Sequence, residues 1–283
     1  MRAQAQPVTP ELRRWIVDQA AAGHSPEAVL EAMKASGWDE TVALAALETA
    51  MTGKPTTLAA PADPGKPMPG QRLTAATPRI RAADRDVAVL VALAQPRVVV
   101  FGNLLDDAEC AELIALARSR LSRSETVEIR TGASEVNAAR TSQGMFFLPG
   151  EFPVCARLEA RIAALLEWPL ENGEGLQVLR YGPGAEYKPH YDFFDPAEPG
   201  TPSILARGGQ RVASVVCYLN SPEKGGATVF PEAGLDVAPI RGNAVFFSYD
   251  RPHPSTQTLH GGAPVEAGEK WVATRWLRER RFE

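Results

Sequence analysis

Hydrophobic spacing along this chain changes character twice. Over the first fifty residues, apolar positions recur at intervals of three and four: Leu12, Trp15 and Ile16, then Val29, Leu30 and Met33, then Val42, Leu44, Ala45 and Leu47. That spacing predicts three amphipathic helices. Thr9 stands ahead of the first (10–22), Ser25 ahead of the second (26–36) and Asp39 ahead of the third (40–51), and two of the three begin on proline, all good N-terminal signals. A module this small buries only a modest core. The pattern then dissolves. Residues 52–78 hold six prolines and three glycines among small polar residues, a composition that predicts a linker.

Beyond residue 78, short apolar runs replace the helical spacing. The segments 86–93 and 97–101 are rich in valine and read as strands. Asp106 is placed to cap a helix with Asp107 and Glu109 in its first turn, carried by Leu113, Ile114 and Leu116 to about residue 121. A second helix covers 153–166. From residue 176 onward the chain is almost wholly strand and turn: 176–181, 211–219, 228–230, 235–239, 244–249 and 271–277. Helices followed by many short strands with Gly and Pro turns predict an α+β chain that is mainly β, a sandwich or barrel of antiparallel strands with helices packed outside.

Composition narrows the function classes. At 283 residues there is room for one full domain (79–283) plus the appendage. A formal net charge of −4 lacks the basic footprint of a nucleic-acid binder. No apolar stretch follows the early arginine and no run of about 18 apolar residues occurs, so neither export nor membrane insertion is signalled. A cytoplasmic, soluble protein is expected. Cys110, Cys155 and Cys217 are widely spaced, odd in number and without a CxxC pair, so they are expected to be reduced structural thiols.

The chemistry starts at His190-Tyr191-Asp192. On an extended segment the first and third residues share a face, so both can reach one metal. Imidazole nitrogen and carboxylate oxygen are ligands that iron(II) accepts, and a second histidine would complete a facial triad with open positions. With four histidines in the chain, that third ligand is His24, His253 or His260. His24 lies in the helical appendage, and His253 sits between two prolines in a segment poorly suited to strand pairing. A period-two count puts Lys270, Val272, Thr274 and Trp276 on one face of the last strand. A lysine facing a barrel interior needs an anion, because unpaired it carries a heavy desolvation cost. A dicarboxylate that chelates the metal at one end would supply it; a lysine at the strand mouth pointing into solvent would not need one.

Several separated segments resemble the prolyl 4-hydroxylase-like branch of the 2-oxoglutarate and iron(II)-dependent oxygenases. They are Pro96 to Cys110, Ala139-Arg140-Thr141-Ser142, Leu176 to Tyr181, the His190 and Asp192 pair, Gly208-Gly209-Gln210-Arg211, Gly225 to Pro231, Leu259 to Val265, Gly268 to Trp271, and Arg275-Trp276-Leu277. The resemblance covers about residues 84–280. It implies a double-stranded β-helix, or jelly roll, and selects His260 over His253, because the family's distal histidine precedes a Pro-Val pair and then the glycine and lysine of the co-substrate site.

Carried over by position, the resemblance implies that Lys270 pairs with the distal carboxylate of 2-oxoglutarate, with Tyr181 and Thr228 as hydrogen-bonding neighbours. Tyr187, Arg211 and Trp276 match positions lining the substrate side, where an aromatic and cationic surface suits an extended, proline-rich chain. Plain alternatives are core packing for Trp276 and a surface ion pair for Arg211. The implied activity is hydroxylation of a prolyl residue in a peptide or protein, using Fe(II), 2-oxoglutarate and O2, with ascorbate in support, through a ferryl species that abstracts hydrogen from a C–H bond. A free amino acid or small metabolite is the alternative substrate. A catalytically silent scaffold and a zinc hydrolase are alternatives of other classes, and the last leaves Lys270 unexplained. Segments 122–138 and 195–209 are expected to act as lids. The helical module resembles the ubiquitin-associated type of three-helix bundle through Met33, Ser36-Gly37-Trp38-Asp39, Ala43 and Leu47, which implies a protein partner for residues 10–51; a simple helical cap or dimerisation piece is the alternative.

Overall fold

A computed structural model of the chain describes residues 10–21, 23–38, 40, 42–44, 46–47, 67–123, 126–127, 134–135 and 141–282. It divides into two compact units, Met1–Pro64 and Gly65–Glu283. In the first, helices α1 (Pro10–Ala21) and α2 (Pro26–Ala35) form where the spacing predicts them, and Ser25 accepts a hydrogen bond from the Ala28 amide at the start of α2. Residues 40, 42–44, 46 and 47 are helical, while the remainder of the predicted third helix and the caps Thr9 and Asp39 lie outside the described residues. Ile16, Val29, Met33, Ala43, Ala46 and Leu47 make its core.

The second unit begins earlier than the composition predicts. Residues 67–78 are not linker: Leu73 is buried in the main core, the Gly70 amide donates to the Leu166 carbonyl, and Arg97 donates to the carbonyls of Gly70 and Leu73. One well-placed leucine and a distant arginine outweigh a Pro/Gly-rich composition.

The unit contains strands β1 (Arg79–Ala82), β2 (Arg85–Leu93), β3 (Arg97–Gly102), β4 (Ser122–Arg123), β5 (Thr126–Val127), β6 (Ser134–Glu135), β7 (Gln143–Phe146) and β8 (Gln177–Tyr181). There follow β9 (Tyr187–His190), β10 (Arg211–Tyr218), β11 (Lys224–Gly225), β12 (Thr228–Phe230), β13 (Leu235–Val237), β14 (Ala244–Ser248), β15 (His260–Gly262), β16 (Val265–Ala267) and β17 (Lys270–Arg278). Helices α3 (Asp107–Arg118), α4 (Pro153–Leu166) and α5 (Thr201–Leu205) complete it, and among the described residues no helix is long and apolar enough to cross a membrane. A nine-stranded sheet runs β1-β2-β3-β14-β10-β17-β8-β7-β4, and a four-stranded sheet runs β13-β12-β15-β9. Every pairing is antiparallel.

The apolar runs are continuous rather than alternating because the central strands are covered on both faces. Along β3, Val99 and Phe101 join a core with Cys110, Leu113, Leu158 and Ile162 of α3 and α4, while Val98 and Val100 join a second core with Phe230 and Val237 of the small sheet. The same division holds on β17, with Trp271, Ala273 and Leu277 on the helix side and Val272 between the sheets. This is the jelly-roll arrangement: the space between the sheets is the interior, and helices close the outer face of the large one.

Candidate metal centre

Two imidazoles meet because of strand register. In the small sheet His190 of β9 lies directly across from His260 of β15, so both side chains leave the same face, with ring centroids 4.4 Å apart. Each ring is then locked by its own backbone. His190 Nδ1 is 2.9 Å from the Lys188 carbonyl and His260 Nδ1 is 3.0 Å from the Thr258 carbonyl. A carbonyl only accepts, so each Nδ1 carries the proton and each Nε2 keeps its lone pair for a metal.

Asp192 completes the group, but not from the strand. β9 ends at His190, and Asp192 follows in a bend, which corrects the picture of one extended segment presenting both ligands. Its Oδ1 lies 3.6 Å from His190 Nε2 and its Oδ2 3.6 Å from His260 Nε2. One ligand atom from each of the three residues falls within 4.8 Å of the others. Burial opposes ionisation of Asp192, but the positive charge of the facing imidazoles in their protonated form and that of Arg211 outweigh it and hold the carboxyl well below the usual carboxylate range, a role a bound cation would take over. Burial pushes His260 down to about 4, so its imidazole is neutral at physiological pH. Two imidazoles and one carboxylate converging on one point form a donor set fitted to iron(II) with positions left open. His253 is elsewhere employed: its Nδ1 accepts from the Ser255 amide and caps the short 3-10 turn Pro254–Thr256. His24 lies in the other unit.

Lys270 is buried between the sheets, 4 % exposed. It pairs across β17 and β8 with Tyr181, and the rings of Tyr181 and Tyr218 stand 5.6 and 5.7 Å from its Nζ. Among the described residues no carboxylate comes within ion-pair distance of it, and burial pushes its pKa down to about 8. A Cβ on Gly262 would lie 3.9 Å from this ammonium, and Gly262 is two residues from His260. Two strand residues span about 7 Å, a length that suits a five-carbon dicarboxylate held at both ends. Thr228 lies opposite Gly262 and accepts a hydrogen bond from Tyr218 at 2.9 Å. Tyr218 escaped the sequence reading, although its place on the Val272 side of the apolar 211–219 run was the available signal.

On the other side, Tyr187 stacks on His190 with centroids 3.7 Å apart, and Arg211 lies 4.0 Å over the Trp276 ring. Arg211 is not a free cation. It makes paired bonds of 2.7 and 3.0 Å to Glu174, which also accepts from Arg278. Ser214 and Tyr249, behind Asp192, were also invisible in the sequence pattern. Of the two proposed lids, most of 122–138 lies outside the described residues. Segment 195–209 contains α5 and is braced internally by Thr201 donating to the Asp195 carbonyl.

Comparison with known proteins places the chain in a family. Residues 176–278 match the profile of the 2OG-Fe(II) oxygenase superfamily, spanning His190, Asp192, His260 and Lys270. The chain is similar to prolyl 4-hydroxylase 2 of Arabidopsis thaliana, 38% identical over 212 residues, covering 67% of this chain and 69% of that protein. It is likewise similar to prolyl 4-hydroxylase 1 of the same plant, 41% identical over 202 residues, 65% of this chain and 70% of the other. Among solved structures, a viral collagen prolyl hydroxylase from Paramecium bursaria Chlorella virus-1 in complex with 2-oxoglutarate aligns with a TM-score of 0.49 and 31% identity, over 64% of this chain and 95% of that one. The chain belongs to the 2-oxoglutarate and iron(II)-dependent oxygenase superfamily. It is a dioxygenase that uses Fe(II), 2-oxoglutarate and O2.

Proposed function

We propose that this chain hydroxylates prolyl residues of a peptide or protein, with His190, Asp192 and His260 holding the iron and Lys270 holding the far carboxylate of 2-oxoglutarate. The observation that carries the reading is the buried Lys270, with no carboxylate within ion-pair distance among the described residues, its ammonium beside Gly262, two residues along β15 from His260. Bound iron supplies the oxidising chemistry, converting 2-oxoglutarate and O2 to succinate and carbon dioxide while oxygen enters a C–H bond. The chain's own residues supply geometry. The Nδ1 bonds fix the tautomer and aim of both imidazoles, Lys270 neutralises the co-substrate's distal charge with Tyr181 and Thr228 beside it, and the two sheets exclude water. Tyr187 and Trp276 offer aromatic faces to an incoming proline, and the salt bridge to Glu174 holds Arg211 over the Trp276 ring.

Support for a prolyl substrate comes from the two plant relatives, both prolyl 4-hydroxylases of about 40% identity. Ascorbate is proposed as an auxiliary reductant on the same resemblance. Residues 10–51 are proposed as a ubiquitin-associated-like binder of a protein partner, supported by their compact apolar core. The test of the activity is a panel of proline-containing peptides against free amino acids, read by succinate formation and a mass gain of about sixteen units. Turnover confined to free amino acids would overturn the peptide reading, and full turnover by Asp192→Ala would overturn the site.

A further inference from the structure

Asp192 is the ligand least secured by its own chain segment. Each imidazole is fixed by cross-strand register and by a carbonyl two residues earlier. The carboxylate, past the end of β9, is oriented from the large sheet instead. Ser214 on β10 donates from Oγ to Asp192 Oδ2 at 2.6 Å, and the hydroxyl of Tyr249, one residue beyond β14, lies 3.1 Å from the same Oγ.

The direction of these bonds follows from proton counting. A serine hydroxyl has one proton, and an ionised carboxylate only accepts. The Ser214 proton is therefore committed to Asp192, and Tyr249 must be the donor to Ser214. Both protons point along one line toward the carboxylate, so each bond polarises the next. Ser214 is 0 % and Tyr249 1 % exposed. A hydroxyl at the inner face of the apolar strand β10 would destabilise the fold unless bonded. The Tyr249 ring is itself wedged between Phe193 and Phe247, with centroids at 5.8 and 6.3 Å, so the outer end of the relay is held by packing.

We propose that Ser214 and Tyr249 are positioning residues: a two-hydroxyl relay that sets the orientation of Asp192, so that metal affinity and ligand field depend on groups that never touch the metal. The inference rests on the assignment of His190, Asp192 and His260 as the metal ligands. It adds a functional requirement at two positions 35 residues apart, on and just beyond neighbouring strands of the large sheet.

The experiment titrates the full-length, metal-free protein with Co(II), reading affinity and the visible absorption of the bound ion. Ser214→Ala is expected to weaken Co(II) binding on the order of 10- to 100-fold and to change the absorption bands. Tyr249→Phe, which keeps the ring, is expected to weaken it by about 3- to 10-fold and to move the bands in the same direction. In the Ser214→Ala background Tyr249→Phe should have no further effect, because its bond passes through Ser214. Ser214→Thr, which retains the hydroxyl, should recover wild-type bands. Wild-type affinity and spectrum in a folded Tyr249→Phe protein would overturn the relay, as would simple additivity of the two substitutions. Asp192→Ala is run alongside. Undiminished Co(II) binding in that variant would overturn the ligand assignment itself, whereas its loss together with wild-type behaviour of Tyr249→Phe would overturn the relay alone.

Discussion

Strand β17 carries three buried cations that are stabilised in opposite ways. Arg275 faces Glu159 at 3.0 Å, and Arg278 donates to Glu174 at 2.6 Å. Lys270, on the same strand and equally buried, has two tyrosine rings for neighbours and no carboxylate within ion-pair distance among the described residues. A cation that holds the fold together carries its counter-charge within the chain, because desolvation must be offset in the free protein. A cation meant for a ligand leaves that pairing to the ligand.

The largest expected effect tests the structural half of this contrast. Arg275→Ala removes the partner of the buried Glu159 and should lower stability by about 3–5 kcal/mol in denaturant titration, while the KM for 2-oxoglutarate in the remaining folded protein stays within about twofold. A wild-type midpoint would show that the pair carries no weight. The converse is expected of Lys270→Met. Its affinity for 2-oxoglutarate, measured by calorimetry on metal-loaded protein, should fall on the order of 10²- to 10³-fold. Its stability without co-substrate should equal or exceed the wild type, since an unpaired buried charge has been removed. A large loss of stability instead would place Lys270 with the structural arginines.

A pH series separates the two classes further. In the free fold the pKa of Lys270 is about 8, against an ordinary 10.5. Between these values the unfolded chain binds a proton that the folded chain has released, so this site makes stability rise with pH across the window. Affinity for 2-oxoglutarate should move the other way, weakening above pH 8 by up to about tenfold per unit, because the protonated form is the one that pairs. Neither trend should survive in Lys270→Met. The smallest effect is expected of Tyr218→Phe, which removes the bond to Thr228. A loss of 2-oxoglutarate affinity of about 3- to 10-fold, with metal affinity unchanged, would place Tyr218 on the co-substrate side. A change in metal affinity would not.

Much of this was legible in the residues themselves. Helix α4 runs over the predicted 153–166, since Pro153 opens it and a long apolar face sustains it. Lys270, Val272, Thr274 and Trp276 do share the interior face of β17, as the period-two count requires. The N-terminal boundary of the larger unit was misplaced because the groups that tie residues 67–78 down, Arg97 and the Leu166 carbonyl, are far away in sequence. For Arg211 the sequence offers a substrate-facing role or a surface ion pair; it makes an ion pair, but a buried one, and its partner Glu174, 37 positions away, is not identified by any local spacing.

Local periodicity determined which residues could act and which side of their own element they face, because side-chain direction is set by the backbone of that element alone. This was enough for an inward lysine and for a pair of metal-ligand types at His190 and Asp192. Tertiary structure decided what stands opposite. The register of β9 against β15 brings His260, and not His253, to His190, and packing of the two sheets brings Ser214 and Tyr249 behind Asp192. The same packing buries Lys270 out of reach of any described carboxylate. These are long-range pairings, settled by the summed burial of two cores, and no spacing within a single segment contains them.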